Sequence, residues 1–487
     1  MRQPPYIVLT TLLLFLIVVE ALSLIEWAVY PYFPDKSLVF AKTDASVFDI
    51  LAPFSPVFLL VLLYAWVPKL AISFNNKYSL MLKSFFYWLG QSLSFLKTPT
   101  ASDQVGRFAF AERSRLLLVI AVAAAISLAF VPYRPNLNPA MIPVGVDTHY
   151  YVEWVNQMLR LSPAAAFYYA LGSASYGSRP LILIPIYLVV STGAVSADRA
   201  VELVPAVLGP LLALSTYVFV REGRHQDDKM AGIVSLFSVV SFAAAVGMWA
   251  GFFANWLALV EAFLFFTILL RFLEFATISR FVLLTLISIA LLLTHPWTGF
   301  VVLAVASVFV LSIWRESRRR ILVKALITLL TISIVVYAAK IIFVEGLATA
   351  EYTSATVSGS GISQLLNLWP NILYALFIFF NALFADTIIL GLSIVAVIRL
   401  RFSDMFERLL AIWVAIGSLP FAFLESGLQV RILYDLPFPV LSSIGLLYLF
   451  RPIGTKTVHS NLTLLLVLLL GANYALRMAT NLVATPF

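Results

Sequence analysis

Apolar runs of roughly 20 residues recur along almost the whole chain, separated by short polar breaks. A run of that length crosses the hydrocarbon layer of a bilayer as one helix. The pattern predicts about 13 crossings, near residues 6–27, 48–67, 116–132, 201–220, 231–249, 253–271, 281–294, 297–314, 321–344, 372–400, 407–423, 432–450 and 461–479. The run 181–195 is different, because Pro180 and Pro185 suit a broken, half-inserted helix better than a straight span. Leaving it out of the crossings puts most Lys and Arg on one side, including Arg221, Arg224, Lys229, the 315–320 cluster, Arg399 and Arg401. The positive-inside rule then orients the N-terminus toward the cytoplasm and the C-terminus outside. The fold class expected is an all-α polytopic membrane protein with a long first external loop and a half-inserted helix after it.

Three polar segments break the apolar pattern. In 68–115, Leu82, Phe85, Phe86, Leu89, Leu93 and Leu96 share one helical face, with Lys83 and Lys97 off it. That spacing fits either an amphipathic helix on the cytoplasmic leaflet or a packed linker helix. Residues 133–200 form the longest external loop. In 345–371, Tyr352 to Gly361 is small and polar, a composition that suits a lid. Two parts follow: residues 1–115, with two N-terminal spans and the cytoplasmic segment, and a main transmembrane unit, 116–487.

Composition agrees with the pattern: 62% of residues are hydrophobic and 11% charged, far from soluble usage. The first run is too long for a signal peptide's apolar region, so it reads as an uncleaved helix. Cysteine is absent, which excludes disulfides, thiolate catalysis and cysteine metal sites. The +8 net charge marks cytoplasmic loops, and no basic patch interleaved with aromatics points to nucleic acid.

Against this background the stretch Pro143-Val-Gly-Val-Asp-Thr-His-Tyr-Tyr-Val-Glu-Trp-Val155 stands out. It gathers Asp147, His149, Tyr150, Tyr151 and Glu153 just beyond a span. Asp147 reads as a helix N-cap, a catalytic carboxylate, or both. Glu153 lies nearly two turns on and suits pairing with Arg160 or solvation. His295, in Thr294-His-Pro-Trp297, sits at the tip of a short hairpin, either as a satisfied structural histidine or with a task at the membrane boundary. Arg431 closes the loop from Glu425 and suits a phosphate, interfacial snorkelling or pairing with Glu425. Lys340 lies near the outer end of its run. Asp435 follows Arg431 by about one turn, which makes Arg431 its nearest candidate partner. Glu261 and Asp386 are further acids in apolar runs, and Asn255 marks a small external turn. Phosphate-loop, zinc-protease, nucleophile-elbow and calcium-loop motifs are all missing.

Taken together, four elements resemble the GT-C superfamily of membrane glycosyltransferases, in particular prokaryotic members using lipid-linked sugars. They are Gly145-Val-Asp147-Thr-His-Tyr150-Tyr151 in the external loop, Arg179-Pro-Leu…Pro185 followed by Ala200 to Gly209, Thr294-His-Pro-Trp297, and Arg431 to Pro439…Gly445. The resemblance covers roughly 116–450. It implies a polyprenyl-phosphate-type sugar donor and a glycan, lipid or protein acceptor, met on the outer face of the plasma membrane. Asp147 would be the general base, with inversion, and Arg431 and His295 would bind the donor phosphate. His149, Tyr150, Tyr151, Glu153, Asn255, Lys340 and Asp435 would line the substrate site. Two departures, Thr148 after Asp147 and Asn255 where many members have a second acid, lead us to expect no metal and no cofactor. The competing readings are a lipid or small-molecule transporter built on Glu261, Asp386, Lys340 and Asp435, and an inactive scaffold of the same fold.

Overall fold

In the computed structural model, residues 4–29, 113–135, 138, 141, 143–225, 227–313, 320–345, 387–419, 434–450 and 457–484 are described. Among them the regular secondary structure is entirely helical. The predicted crossing near 48–67, the amphipathic segment, the 345–371 loop, Asp386 and Arg431 lie outside the described residues. Among the described residues, seven stretches are long and apolar enough to cross a membrane: 114–133, 197–223, 228–250, 253–274, 296–313, 323–344 and 458–476. The chain is therefore a helical, membrane-embedded protein with multiple spans.

The helices, numbered along the chain, are α1 (Pro4–Val29), α2 (Ser114–Phe130), α3 (Thr148–Leu159), α4 (Pro163–Gly172), α5 (Pro180–Ser191), α6 (Ala197–Glu202), α7 (Val204–Gly223), α8 (Asp228–Val239) and α9 (Phe242–Ala250). They continue as α10 (Phe253–Glu274), α11 (Ile278–Thr294), α12 (Pro296–Ile313), α13 (Arg320–Lys340), α14 (Thr387–Arg399), α15 (Met405–Ser418), α16 (Phe438–Phe450) and α17 (Thr457–Ala484). Helix starts follow the local chemistry. Asp227 accepts from Met230 N at 3.0 Å and Asp404 from Glu407 N at 2.9 Å, each satisfying an amide that the helix leaves open. Pro180 and Pro205 stand in the first turns of α5 and α7, where a missing N–H costs nothing. The twelve residues of α5 reach only about 18 Å, short of a straight crossing.

α7 is central to the packing, lying against α2, α8 and α10, while α14 pairs with α16 and α11 with α13. The 228–250 span is 94% buried and the 323–344 span 17%, so α8 and α9 form the core and α13 the lipid edge. The predicted span 231–249 is broken between α8 and α9. Ser235, Ser238 and Ser241 bond back to carbonyls three residues earlier, competing with the helical ladder at this break.

α1 packs along α17. Thr10 Oγ1 meets His459 Nε2 at 2.7 Å, Ser23 donates to Asn473 at 3.3 Å, and Asn473 Nδ2 also donates to the buried Glu20 carboxylate. Both numbers rise together, so the two helices run parallel.

α10 connects two polar ends. Its C-terminus joins an ion network in which Arg271 contacts Glu222 and bonds Glu274 at 2.9 Å. In the same region Glu407 meets Arg224 at 3.4 Å, Arg401 at 3.1 Å and the Tyr448 hydroxyl at 3.2 Å. Hydrogen bonding to Glu407 raises the Arg401 pKa above its ordinary value. Its N-terminus, 22 residues away and so about 33 Å distant, carries the candidate site.

Candidate functional site

The loop before α3 is held to the α9–α10 turn by backbone pairing. Val146 N donates to Trp249 O at 3.1 Å and Asp147 N to Ala250 O at 3.0 Å. Val144 N donates to the Tyr133 hydroxyl at 3.1 Å, and Thr148 Oγ1 to Val144 O at 2.7 Å. Two glycines make this close approach possible. Gly145 has φ +122°, and a Cβ there would lie 2.3 Å from Thr148 Oγ1 and 3.0 Å from Met248 O. Gly251 caps α9 with φ +68°, against Thr148 N.

Asp147 occupies the N-cap position of α3, but its side chain makes no capping hydrogen bond. The carboxylate turns instead to Arg179, whose Nη1 lies 3.7 Å from Asp147 Oδ2. The same Nη1 donates to the Tyr151 hydroxyl at 3.1 Å, and the guanidinium stacks over the Tyr151 and Trp154 rings at 5.6 and 5.8 Å. Tyr151 is fully buried, and its hydroxyl also accepts from Ala254 N at 3.4 Å. Asp147 is partly exposed and Arg179 buried. This is a charged pair held against aromatic rings, with one side open.

Next to Ala254, Asn255 begins a second polar cluster. Asn255 is buried in the first turn of α10, where the sequence pattern suggested an external turn. Its Nδ2 lies 3.4 Å from His295 Nδ1. His295 forms the joint between α11 and α12, as the hairpin reading expected. Its Nδ1 is 2.8 Å from Thr298 Oγ1, which is 2.8 Å from Asp435 Oδ1. Asp435 stands in an irregular stretch before α16, since the helix begins only after Pro437. Trp413 Nε1 donates to its backbone carbonyl at 2.9 Å. Thr294, beside His295, donates to Glu261 at 2.9 Å.

The other predicted site residues lie at varied distances from these clusters. His149, Tyr150 and Glu153 are exposed on α3, on the faces away from Tyr151. Glu153 influences Tyr169, whose phenol is raised above its ordinary value by burial first and by that carboxylate second. Lys340 ends α13 and donates to Gly177 O, tying that helix to the turn just before Arg179. Sequence reasoning missed Arg179 and Thr298 as site residues. Arg179 did carry a signal: a lone guanidinium immediately before an apolar Pro-initiated helix on the predicted outer side. Thr298 carried none, because a threonine in an apolar helix ordinarily bonds its own backbone.

Among the described residues, no three His, Asp or Glu side chains gather in a way that would hold a metal ion. No protein-family model matches the chain, and no curated protein matches it significantly.

Proposed function

We propose that the chain is a glycosyltransferase of the GT-C type, with about thirteen spans, moving a sugar from a polyprenyl-phosphate carrier to a hydroxyl acceptor at the outer face of the plasma membrane. The observation that carries the reading is the Asp147–Arg179 pair at 3.7 Å, held by backbone bonds at one end of the bundle. The Arg-rich ion network at the other end of α10 supports the orientation, because basic residues concentrate on the cytoplasmic side.

In this reading Asp147 takes the proton from the acceptor hydroxyl. The acceptor oxygen attacks the anomeric carbon, the bond from that carbon to the carrier phosphate breaks, and the phosphate leaves with the electron pair. The configuration inverts. A phosphate leaving group needs positive charge more than a proton. Arg431 is assigned to supply it at the donor phosphate, and Arg179, beside the base, holds the Asp147 carboxylate in place on the acceptor side. Acceptor class and sugar follow from groups outside this pair.

The test is sugar transfer by the full chain in proteoliposomes, with a polyprenyl-phosphate sugar and a hydroxyl acceptor. Asp147→Asn abolishes transfer while the protein still folds. Transfer undiminished in that variant would remove the base from the mechanism.

A further inference from the structure

The first turns of α3 carry a row of rings that starts at the acid. Tyr150 and Trp154 follow Asp147 by three and seven residues, so the three lie along one stripe of the helix, about 10 Å long. The Tyr150 and Trp154 rings are nearly parallel, at 22°, with centroids 5.9 Å apart, and the His149 ring flanks Tyr150 at 3.8 Å. Trp154 is fixed from the protein side. Tyr151 meets it edge-on at 5.4 Å, and the Arg179 guanidinium lies 5.8 Å from its ring centre. Tyr150 keeps 45% of its surface exposed. Its surroundings are aqueous rather than lipid, because the other exposed positions of α3 include His149, Glu153, Asn156 and Arg160. A tyrosine ring open to water adds little to the core, and its stacking on Trp154 supports the helix by only about 0.2–0.5 kcal/mol.

We propose that the Tyr150–Trp154 stripe is a platform for a sugar ring of the acceptor, which makes the acceptor a glycan. A pyranose has two kinds of surface, C–H groups on its faces and hydroxyls around its edge. The polarised C–H groups meet the electron-rich surface of an aromatic ring. The hydroxyls need acceptors, and acceptors stand around the stripe: Asp147 at its head, and Glu153 and Gln157 three and seven residues beyond Tyr150. A sugar seated on the rings turns one edge hydroxyl toward Asp147, which is partly exposed. A peptide would bring backbone N–H and C=O groups that flat rings do not pair. A lipid alcohol would lay an alkyl chain along the water-facing side of α3, where no apolar surface is buried in return. Tyr150 and Trp154 hold and orient the ring, and Asp147 takes the proton. The inference deepens the glycosyltransferase reading, and calling the bound sugar an acceptor rests on that reading.

The test has a binding arm and a transfer arm, both on the full chain. In nanodiscs, saturation-transfer difference NMR with methyl glucoside, galactoside and mannoside reads binding without any donor. At least one hexoside binds, with its ring C–H protons saturated on irradiation of the protein's aromatic protons. Tyr150→Ala weakens that binding about tenfold, and Tyr150→Phe keeps it, because the ring and not the phenol hydroxyl makes the contact. Asp147→Asn keeps binding and loses transfer. In proteoliposomes with a polyprenyl-phosphate sugar, Tyr150→Ala raises the acceptor KM about tenfold and leaves the donor KM and kcat within about twofold. Equal loss in kcat and both KM values would mark a purely structural ring and overturn the platform. So would failure of every hexoside to bind, binding unchanged in Tyr150→Ala, or transfer to a serine-containing peptide or a long-chain alcohol in preference to a hexoside. Hexoside binding that depends on Tyr150, with no transfer by the wild-type protein, would remove the transferase reading and leave the sugar platform standing.

Discussion

Arg179 Nη1 lies 3.7 Å from Asp147 Oδ2 while donating to the Tyr151 hydroxyl at 3.1 Å. One buried guanidinium therefore ties together an acid at the head of α3 and a tyrosine one turn along the same helix. The pair makes Asp147 more than a cap. Substituting Asp147 by Asn keeps the shape and removes the base, with an expected loss of transfer of about 100-fold or more. The variant should still fold but unfold at a somewhat lower temperature, because no capping bond is lost while the buried Arg179 loses its carboxylate.

Tyr151→Phe removes an oxygen that accepts from Arg179 and from Ala254 N. Two buried donors are left without that acceptor, at a cost of about 1–3 kcal/mol. The variant should unfold at lower temperature in detergent and transfer sugar more slowly. An unchanged melting temperature would mean that other groups satisfy both donors.

Gly145→Ala places a Cβ against Thr148 Oγ1 and Met248 O at a backbone φ of +122°. Strain of about 1–3 kcal/mol falls on the loop that carries Asp147. Expected are loss of transfer and faster protease cleavage within 143–148, with the ion network at the far end of α10 unaffected. Ala at Gly193, whose φ is +75° with nothing within 4 Å, is the control for backbone strain away from the site.

α1 and α17 run parallel, linked by Thr10–His459 and by Glu20 and Ser23 to Asn473. Parallel first and last helices require an odd number of crossings from α1 through α17 inclusive. Tags on the two ends of the chain should therefore be accessible from opposite faces of the membrane. Cysteines at Thr10 and His459 should crosslink, whereas cysteines at Thr10 and Asn473 should not. The reverse pattern would make the helices antiparallel.

Glu407 is fully buried and holds Arg224, Arg401 and Tyr448. Glu407→Gln takes the paired carboxylate from Arg401 and leaves Arg224 its 3.8 Å pairing with Asp227, and breaking such a buried arrangement costs about 3–5 kcal/mol. The expected result is a clear drop in melting temperature with the Asp147 region unchanged in cleavage pattern.

The sequence by itself determined that this is a helical membrane protein and where its main spans fall. Lipid solvates apolar side chains but leaves backbone groups unsatisfied, so an apolar run of span length has no alternative to a helix. It also singled out Asp147 and His295, because polar groups among apolar neighbours need a partner or a task. Only the tertiary structure decided which partner each one met. Asp435 meets Thr298, 137 residues away along the chain, a partner that no local spacing suggested. Arg179 reaches Asp147 across 32 residues (179 − 147) because α5 packs on α3, whose loop two glycines hold against the α9–α10 turn. Hydrogen bonds and ion pairs act over about 3–4 Å, and what falls within that distance depends on helix packing that no local pattern encodes.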